Sequence, residues 1–448
     1  MHPRNPYQTP LDFENLAESF PPLSVHLLKT QDGRPVIDFK SVEAQRRLTE
    51  ALLHRDFGLK LSVPAGRLCP AVPNRLNYIL WIQDLIQASV RYDELRPERT
   101  IGIDIGIGAS AIYPLLACKL EPNWEFIGTE IDELSQQSAL KNISQNELSS
   151  RIRVVKTSEH DPILLPLFQD DGVMYTFTMC NPPFYSSSDD VERSAEGKAF
   201  EPNGVCTGSD NEMIVEGGEA AFVRRIVDES VNVSTRCRWF TSMLGKLSSV
   251  TEVVQALRTH KVDNYAITEL IQGQTRRWVI AWSFTDIRLP DSLARPTSDS
   301  LRQFLPLPNE LQQPYQPTLD HISIRSALEG VLKNIDGVTF TELDSKDSPT
   351  SSPLWELLVK ASRNSWSRSE RRKKNAGNAA TESKTIAGIP ALSCTIREVS
   401  PLGPSSTIDG KSKLVLQCSW VRGRDRGLFE SFWSHVSRKV GVALGGQS

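Results

Sequence analysis

Ile101-Gly102-Ile103-Asp104-Ile105-Gly106-Ile107-Gly108 decides how this chain of 448 residues is read. Residues 101–105 form a short apolar strand that runs into glycines, and residues 109–120 read as the helix that follows. Outward from this stretch the alternation continues. Strands are expected at 124–129, 152–155, 173–179 and 238–244, with helices at 132–146 and 250–260. Phe222, Val223, Ile226 and Val227 mark a further helix face. Strands alternating with helices imply an α/β fold with a mostly parallel sheet covered on both faces. A hairpin at 265–271 and 279–284 is the one departure.

On the N-terminal side, Ser41 is placed to cap an amphipathic helix that runs through Leu53, and 74–86 reads as a second helix. On the C-terminal side, six prolines between Pro290 and Pro317 read as an extended linker, because proline removes donors and fixes φ. Beyond it, residues 321–326 and 338–343 read as strands flanking a short helix. Residues 363–384 read as a loop, 393–399 and 413–420 as strands, and 428–440 as a helix. The expected organisation is therefore an opening helical segment (1–95) and a Rossmann-like domain (96–288). A proline-rich linker (289–319) and a smaller α+β domain (320–445) follow.

The bulk numbers exclude several classes. Apolar residues make up 39% and charged residues 23%, which suits a globular chain and not a collagen-like or disordered one. No apolar run reaches the 18 or so residues that span a bilayer, and the first residues carry no secretory signal. Seven cysteines are scattered and never spaced CxxC, so neither a disulfide framework nor a metal site is expected. The net charge of −3 hides a split: residues 361–448 hold fifteen Lys and Arg against six Asp and Glu. A basic end on an acidic body suggests a polyanion held by phosphate contacts, or a solvated basic linker.

The chemistry sits in two signals. Glu130 lies 24 residues after Gly106, at the end of the next strand, where an acid can accept ribose hydroxyls. The glycines lack the full pyrophosphate cradle, so a ligand with a ribose and no diphosphate fits, and S-adenosylmethionine is such a ligand. The second signal is Asn181-Pro182-Pro183-Phe184 after a strand. Paired prolines force an extended, rigid turn, and the Asn181 amide adds an acceptor beside the Pro182 carbonyl. Two acceptors beside an aromatic ring suit an exocyclic amine on a planar base. Accepting its two hydrogens favours a tetrahedral nitrogen that attacks, while Phe184 stacks the base. A sulfonium donor needs neither a metal nor a strong base.

Together the two signals resemble the Rossmann-like class I methyltransferases that act on amino nitrogens. More narrowly, the chain is similar to the family that places N6-methyladenosine in U6 small nuclear RNA, a group that includes bacterial 23S ribosomal RNA adenine-N6 methyltransferases. The resemblance rests on Arg55-Asp56-Phe57-Gly58-Leu59, Val72-Pro73 with Arg75-Leu76-Asn77-Tyr78-Ile79, Gly102–Ser110 and Thr129-Glu130. It continues with Met179–Phe184, Glu216-Gly217-Gly218-Glu219, and Gln272-Gly273 with Arg277-Trp278. It implies a seven-stranded sheet, S-adenosylmethionine as cofactor, RNA as partner, contacted by the opening segment 1–95 with 320–445 as a candidate RNA-binding domain, and residence in the nucleus, with the cytoplasm as a second location. It implies no metal and no membrane. It also implies roles: Arg75 at the methionine carboxylate, Gly106 and Ser110 around the methionine and ribose, and Glu130 at the ribose. Asn181, Pro182, Pro183 and Phe184 become the catalytic loop, with Asn181 also near the cofactor. The family's contact after the third strand has no clear match in Thr157-Ser158-Glu159-His160.

One departure concerns charge. Residues 185–213 hold seven acids and two bases, which repels phosphates beside the catalytic loop. Arg224, Arg225, Arg236, Arg238, Lys246, Arg276 and Arg277 are the alternative RNA contacts. Trp420, Phe429, Phe432 and Trp433 are candidates for base stacking or for core. Two other readings stay open. An amide nitrogen poses the same chemical problem, so a protein glutamine-N5 methyltransferase fits the turn. A non-catalytic RNA-binding protein with a retained fold is the other.

Overall fold

A computed structural model describes residues 1–92, 99–170, 172–191, 208–273, 275–296, 298–315, 321–343, 355–367, 370, 390–399, 407–408, 411–412 and 414–445. The chain forms two compact units: Met1–Phe284 with Leu293–Pro306, and Thr285–Ser292 with Leu307–Ser448.

The first unit is built on seven strands: β1 Thr100–Ile105, β2 Trp124–Glu130, β3 Ile152–Lys156, β4 Tyr175–Cys180, β5 Cys237–Leu244, β6 Tyr265–Gln272 and β7 Thr275–Trp282. They lie in the order β3-β2-β1-β4-β5-β7-β6. The first five pair in parallel, and β7 runs antiparallel to both β5 and β6. The longer helices of the unit are α1 Val42–Phe57, α2 Val72–Val90, α3 Ile112–Leu120, α4 Glu133–Gln145, α5 Gly218–Val233 and α6 Leu247–Thr259. All six residues of β4 are buried, as expected of a central parallel strand covered on both faces. Val223, Ile226 and Val227 of α5 and Val250, Val253 and Leu257 of α6 enter the core with Ile103, Phe240 and Ile280. Each such side chain contributes about 1.5–3 kcal/mol on burial. The buried indoles of Trp239 and Trp282 donate to Ser89 Oγ at 2.7 Å and Ser230 Oγ at 3.0 Å, so neither N–H is orphaned.

Local signals place the early helices. The Ser41 side chain accepts the Ala44 N–H, and Gly58, at φ 61°, closes α1 in the left-handed conformation. Pro73 sits in the first turn of α2, where its missing N–H is not needed. Helix α3 starts later than its sequence suggests. Gly106, Gly108 and Ala111 all have positive φ, so residues 106–111 form the turn and not the first helical residues.

The second unit is a five-stranded antiparallel sheet in the order β8 Glu310–Tyr315, β12 Leu414–Arg422, β11 Leu392–Val399, β10 Glu356–Ala361, β9 Val338–Glu342. Helices α7 His321–Lys333 and α8 Arg426–Gly445 pack on the face that carries Leu357, Val359, Cys394, Ile396 and Cys418. Two expectations are corrected here. Residues 321–326 open helix α7 and are not a strand. The alternation of isoleucines with polar residues there suggested period two, but Ile324, Leu328 and Leu332 are the side chains buried, at helical spacing. The stretch expected as linker contains β8, which adds to the sheet edge at β12. Trp420, Phe429, Phe432 and Trp433 are all core. Trp420 stacks on Phe429 at 5.2 Å and lies under the Arg288 guanidinium at 4.0 Å, so none of the four presents a ring to a base. Most of the basic loop at 363–384, with Arg371–Lys374, lies outside the described residues, as does the acidic stretch 192–207.

Candidate active site

In an open parallel sheet, ligands bind beyond the carboxyl ends of the strands where strand order reverses. Here that point is β1, flanked by β2 and β4. Ile105 ends β1 opposite Thr129 of β2 and Cys180 of β4, so Gly106, Glu130 and Asn181 all emerge at one end. Thr157 joins them after β3, its N–H donating to the Glu130 carbonyl at 2.9 Å. His160 and Ser158 are exposed.

The glycine loop is clamped from below. Gly106 N–H donates to Thr129 Oγ1 at 3.3 Å and Ile107 N–H to the Thr129 carbonyl at 2.9 Å. Gly106 stands at φ 70°, a conformation that side chains other than glycine rarely adopt. Glu130, 8% exposed, accepts the Gly108 N–H at one oxygen (2.9 Å) and the Ile131 and Asp132 N–H groups at the other (both 3.0 Å). Burial pushes its carboxyl up from the ordinary range, and these donors pull it back. Three backbone N–H groups therefore orient the carboxylate at the end of β2, and it keeps acceptor capacity toward a ribose. Ser110 is buried beside this loop.

Arg75 comes from α2. Its Nη1 donates to Tyr113 Oη at 3.0 Å, its guanidinium lies 5.4 Å from the Tyr113 ring centroid, and its buried Nε has no partner. Tyr78, one helical turn on, bonds Thr241 Oγ1 at 2.6 Å, which fixes α2 across β5.

Sequence reading did not assign Asp104. It is 1% exposed, the last residue but one of β1, and its Oδ2 has no hydrogen-bond partner among the described residues. Burial holds its carboxyl well above the usual range, Glu130 adds to this, and Arg75 opposes it. An unpaired buried acid beside a glycine turn is a candidate group for holding a cation, and its position as the aspartate of the glycine motif was the available signal. The donor set fits S-adenosylmethionine: Arg75 for the carboxylate, Asp104 for the ammonium, the 106–110 loop and Glu130 for the nucleoside. Among the described residues no three His, Cys, Asp or Glu side chains gather as a metal site, and no helix is long and apolar enough to cross a membrane.

The catalytic turn follows β4 directly. Pro182 is buried, Asn181 and Phe184 are partly exposed, and the Asn181 amide bonds no described residue. Beyond it, Tyr185 N–H donates to the Met213 carbonyl at 2.8 Å and Val215 N–H to the Tyr185 carbonyl at 2.9 Å, which pins the end of the turn. Two cations face the Phe184 ring: Lys246 Nζ at 5.2 Å and the Arg277 guanidinium at 5.3 Å from its centroid. Burial and the charge of Arg75 lower the Arg277 pKa. Of the seven basic side chains proposed for RNA, these two stand at the catalytic loop. Arg224, Arg225 and Arg276 pair with Glu252, Glu229 and Glu269, and Arg236 donates to the Asp170 carbonyl. The acidic loop is partly neutralised: Asp190 pairs with Lys246 at 3.2 Å, and Glu212 accepts the Leu68 N–H at 3.0 Å.

Comparison with known proteins identifies the family. A family described as RNA methyltransferase matches residues 1–286. The U6 small nuclear RNA (adenine-(43)-N(6))-methyltransferase of Schizosaccharomyces pombe is 38% identical over 411 residues, covering 92% of this chain and 96% of that one. The RNA N(6)-adenosine-methyltransferase mettl16 of Danio rerio is 34% identical, covering 96% and 94%. Among solved structures, the human METTL16 catalytic domain in complex with MAT2A 3′UTR hairpin 1 is 41% identical with a TM-score of 0.58, covering 64% of this chain and 96% of that one. The N-terminal domain of human METTL16 in complex with SAH is 40% identical with a TM-score of 0.54, covering 64% and 99%. With glycine loop, ribose acid and Asn-Pro-Pro-Phe turn gathered at one end of a 3-2-1-4-5-7-6 sheet, the chain belongs to the RNA methyltransferase family, in the branch of the U6 small nuclear RNA adenine-N6 methyltransferases.

Proposed function

We propose that this protein methylates N6 of an adenosine in RNA, with U6 small nuclear RNA as its substrate. The observation that carries this reading is the position of Asn181–Phe184 at the end of β4, next to the glycine loop that ends β1. Asn181 Oδ1 and the Pro182 carbonyl accept the two hydrogens of the exocyclic amine, and its lone pair leaves the ring system. Phe184 stacks the base, and Arg75, Asp104 and Glu130 hold the methyl donor. S-adenosylmethionine, when bound, supplies a methyl group on a positively charged sulfur. Once the nitrogen carries four substituents it is a strong acid and passes its proton to water, so no buried base is required. Most of the acceleration then comes from orientation. The adenosine enters unpaired or flipped out.

The basic C-terminal unit contributes phosphate contacts, and the protein resides in the nucleus, where its substrate is. The first extension is supported by charge, fifteen Lys and Arg against six acids after residue 360; the second rests on the family resemblance, and Arg371-Arg372-Lys373-Lys374 permits it. The test supplies labelled methyl donor with transcribed U6 RNA, single-stranded DNA and a cell-derived protein mixture. Label recovered as N6-methyladenosine is expected. Label recovered in glutamine, or RNA bound without label, overturns the reading.

A further inference from the structure

The ring of Phe184 has a built seat. Gly245 follows β5 directly, and a Cβ placed on it would stand 1.6 Å from Phe184 Cε2, 2.5 Å from Cζ and 2.6 Å from Cδ2. The φ of Gly245 is not positive, so its backbone accepts any residue. The aromatic ring alone excludes a side chain there.

That backbone is itself held from another helix. Glu219, in the first turn of α5 and 3% exposed, accepts the Gly245 N–H at 2.7 Å with one oxygen and the Lys246 N–H at 2.8 Å with the other. These donors precede α6 and would otherwise be orphaned. Gly217 and Gly218, at φ 74° and 68°, turn the chain so that Glu219 enters α5 facing this loop. Lys246, fixed by the same carboxylate, returns its ammonium over the ring.

We propose that Glu219 and Gly245 are positioning residues for the methyl transfer, holding the Phe184 ring where it stacks the target adenine. The proposal rests on the reading of Phe184 as the stacking surface. Neither residue is placed at the donor or at the Asn181 amide. They act through the ring: alanine at 245 pushes it aside, and an amide at 219 turns an NH₂ toward one of the two N–H groups. A displacement of about 1 Å of a reacting group can slow a reaction about a hundredfold.

The test is a double-mutant cycle on the full chain. Gly245→Ala and Glu219→Gln are each made alone and together with Phe184→Ala. Methyl transfer to transcribed U6 RNA, SAH binding by calorimetry and the thermal midpoint are measured. Each single change is expected to lower kcat tenfold or more, with KM for RNA within threefold and SAH affinity within twofold. In the Phe184→Ala background neither change is expected to lower kcat further by more than twofold. Any thermal midpoint lost on Gly245→Ala is expected to return in the double variant, since the clash is gone. An equal loss of kcat with and without the ring, or no loss in either single variant, overturns the proposal. If Phe184→Ala itself leaves transfer unchanged, the stacking role falls, which separates failure of that reading from failure of the seat.

Discussion

In the proposed mechanism Asp104 and Asn181 divide the work of the site between holding a donor and activating an acceptor. Asp104 is a buried acid whose second oxygen has no partner, with a carboxyl held high by burial and by Glu130. Raising an acid's pKa in the folded state means that stability is present at low pH and lost as pH rises through the folded pKa. Asp104→Asn removes that loss. The thermal midpoint of the unliganded protein is expected to rise relative to the parent, by a margin that grows as pH climbs above the ordinary carboxylate range. SAH affinity is expected to fall about tenfold, since a charge opposite the ammonium is lost and a charge-assisted hydrogen bond contributes about 1.5–3 kcal/mol. Calorimetry across pH checks both: SAH affinity of the parent rises with pH while Asp104 sheds its proton, and that slope is absent in the variant. Asn181→Ala acts differently. Removing one acceptor from the transition state is expected to lower transfer about a hundredfold or more, with SAH affinity changed less than threefold. Equal loss of both would make Asn181 a structural residue.

Helix α4 shows how elements deliver the site. Asn142 is fully buried and accepts the Ser62 N–H at 2.9 Å while donating to the Ser62 carbonyl at 2.9 Å and the Ala109 carbonyl at 3.0 Å. Asn146 repeats the pattern one turn later, accepting the Lys60 N–H at 2.8 Å and donating to its carbonyl at 2.7 Å. One helix face therefore ties residues 60–62 and, through Ala109, the cofactor loop to the sheet. Asn142→Ala removes the partner of the half-buried Ser62 N–H and of the buried Ala109 carbonyl, while the Ser62 carbonyl keeps Ser138 Oγ, and is expected to destabilise the first unit by about 2–4 kcal/mol. Urea unfolding measures this, and a change below 0.5 kcal/mol, inside the range of ordinary surface substitutions, would count against the clamp. The asparagines read from sequence as ordinary positions on a helix. Only the backbone of a segment some 80 residues away reveals what they bind.

At the scale of the whole molecule, each unit has its own core and its own sheet. Residues 1–306 are expected to fold alone, with one unfolding transition where the full chain shows two, and to keep SAH affinity within threefold. Their RNA affinity is expected to be weaker and its dependence on salt shallower, because the basic end is gone. Titrating RNA at several salt concentrations tests this; an unchanged slope would remove the second unit from RNA binding. The sequence by itself determined the alternation of strands and helices in the first unit, the glycine turn and the Asn-Pro-Pro-Phe turn. Period, glycine placement and paired prolines are local properties, legible wherever they occur. Only the tertiary structure decided that 321–326 is helix, that Trp420 is core, and that β8 lies within the proline-rich stretch. It alone also set the three backbone donors that orient Glu130, the Asp104 oxygen without a partner among the described residues, and the seat of Phe184 on Gly245. Each of these depends on which distant group fills the remaining space or hydrogen-bonding capacity, and no local pattern records that.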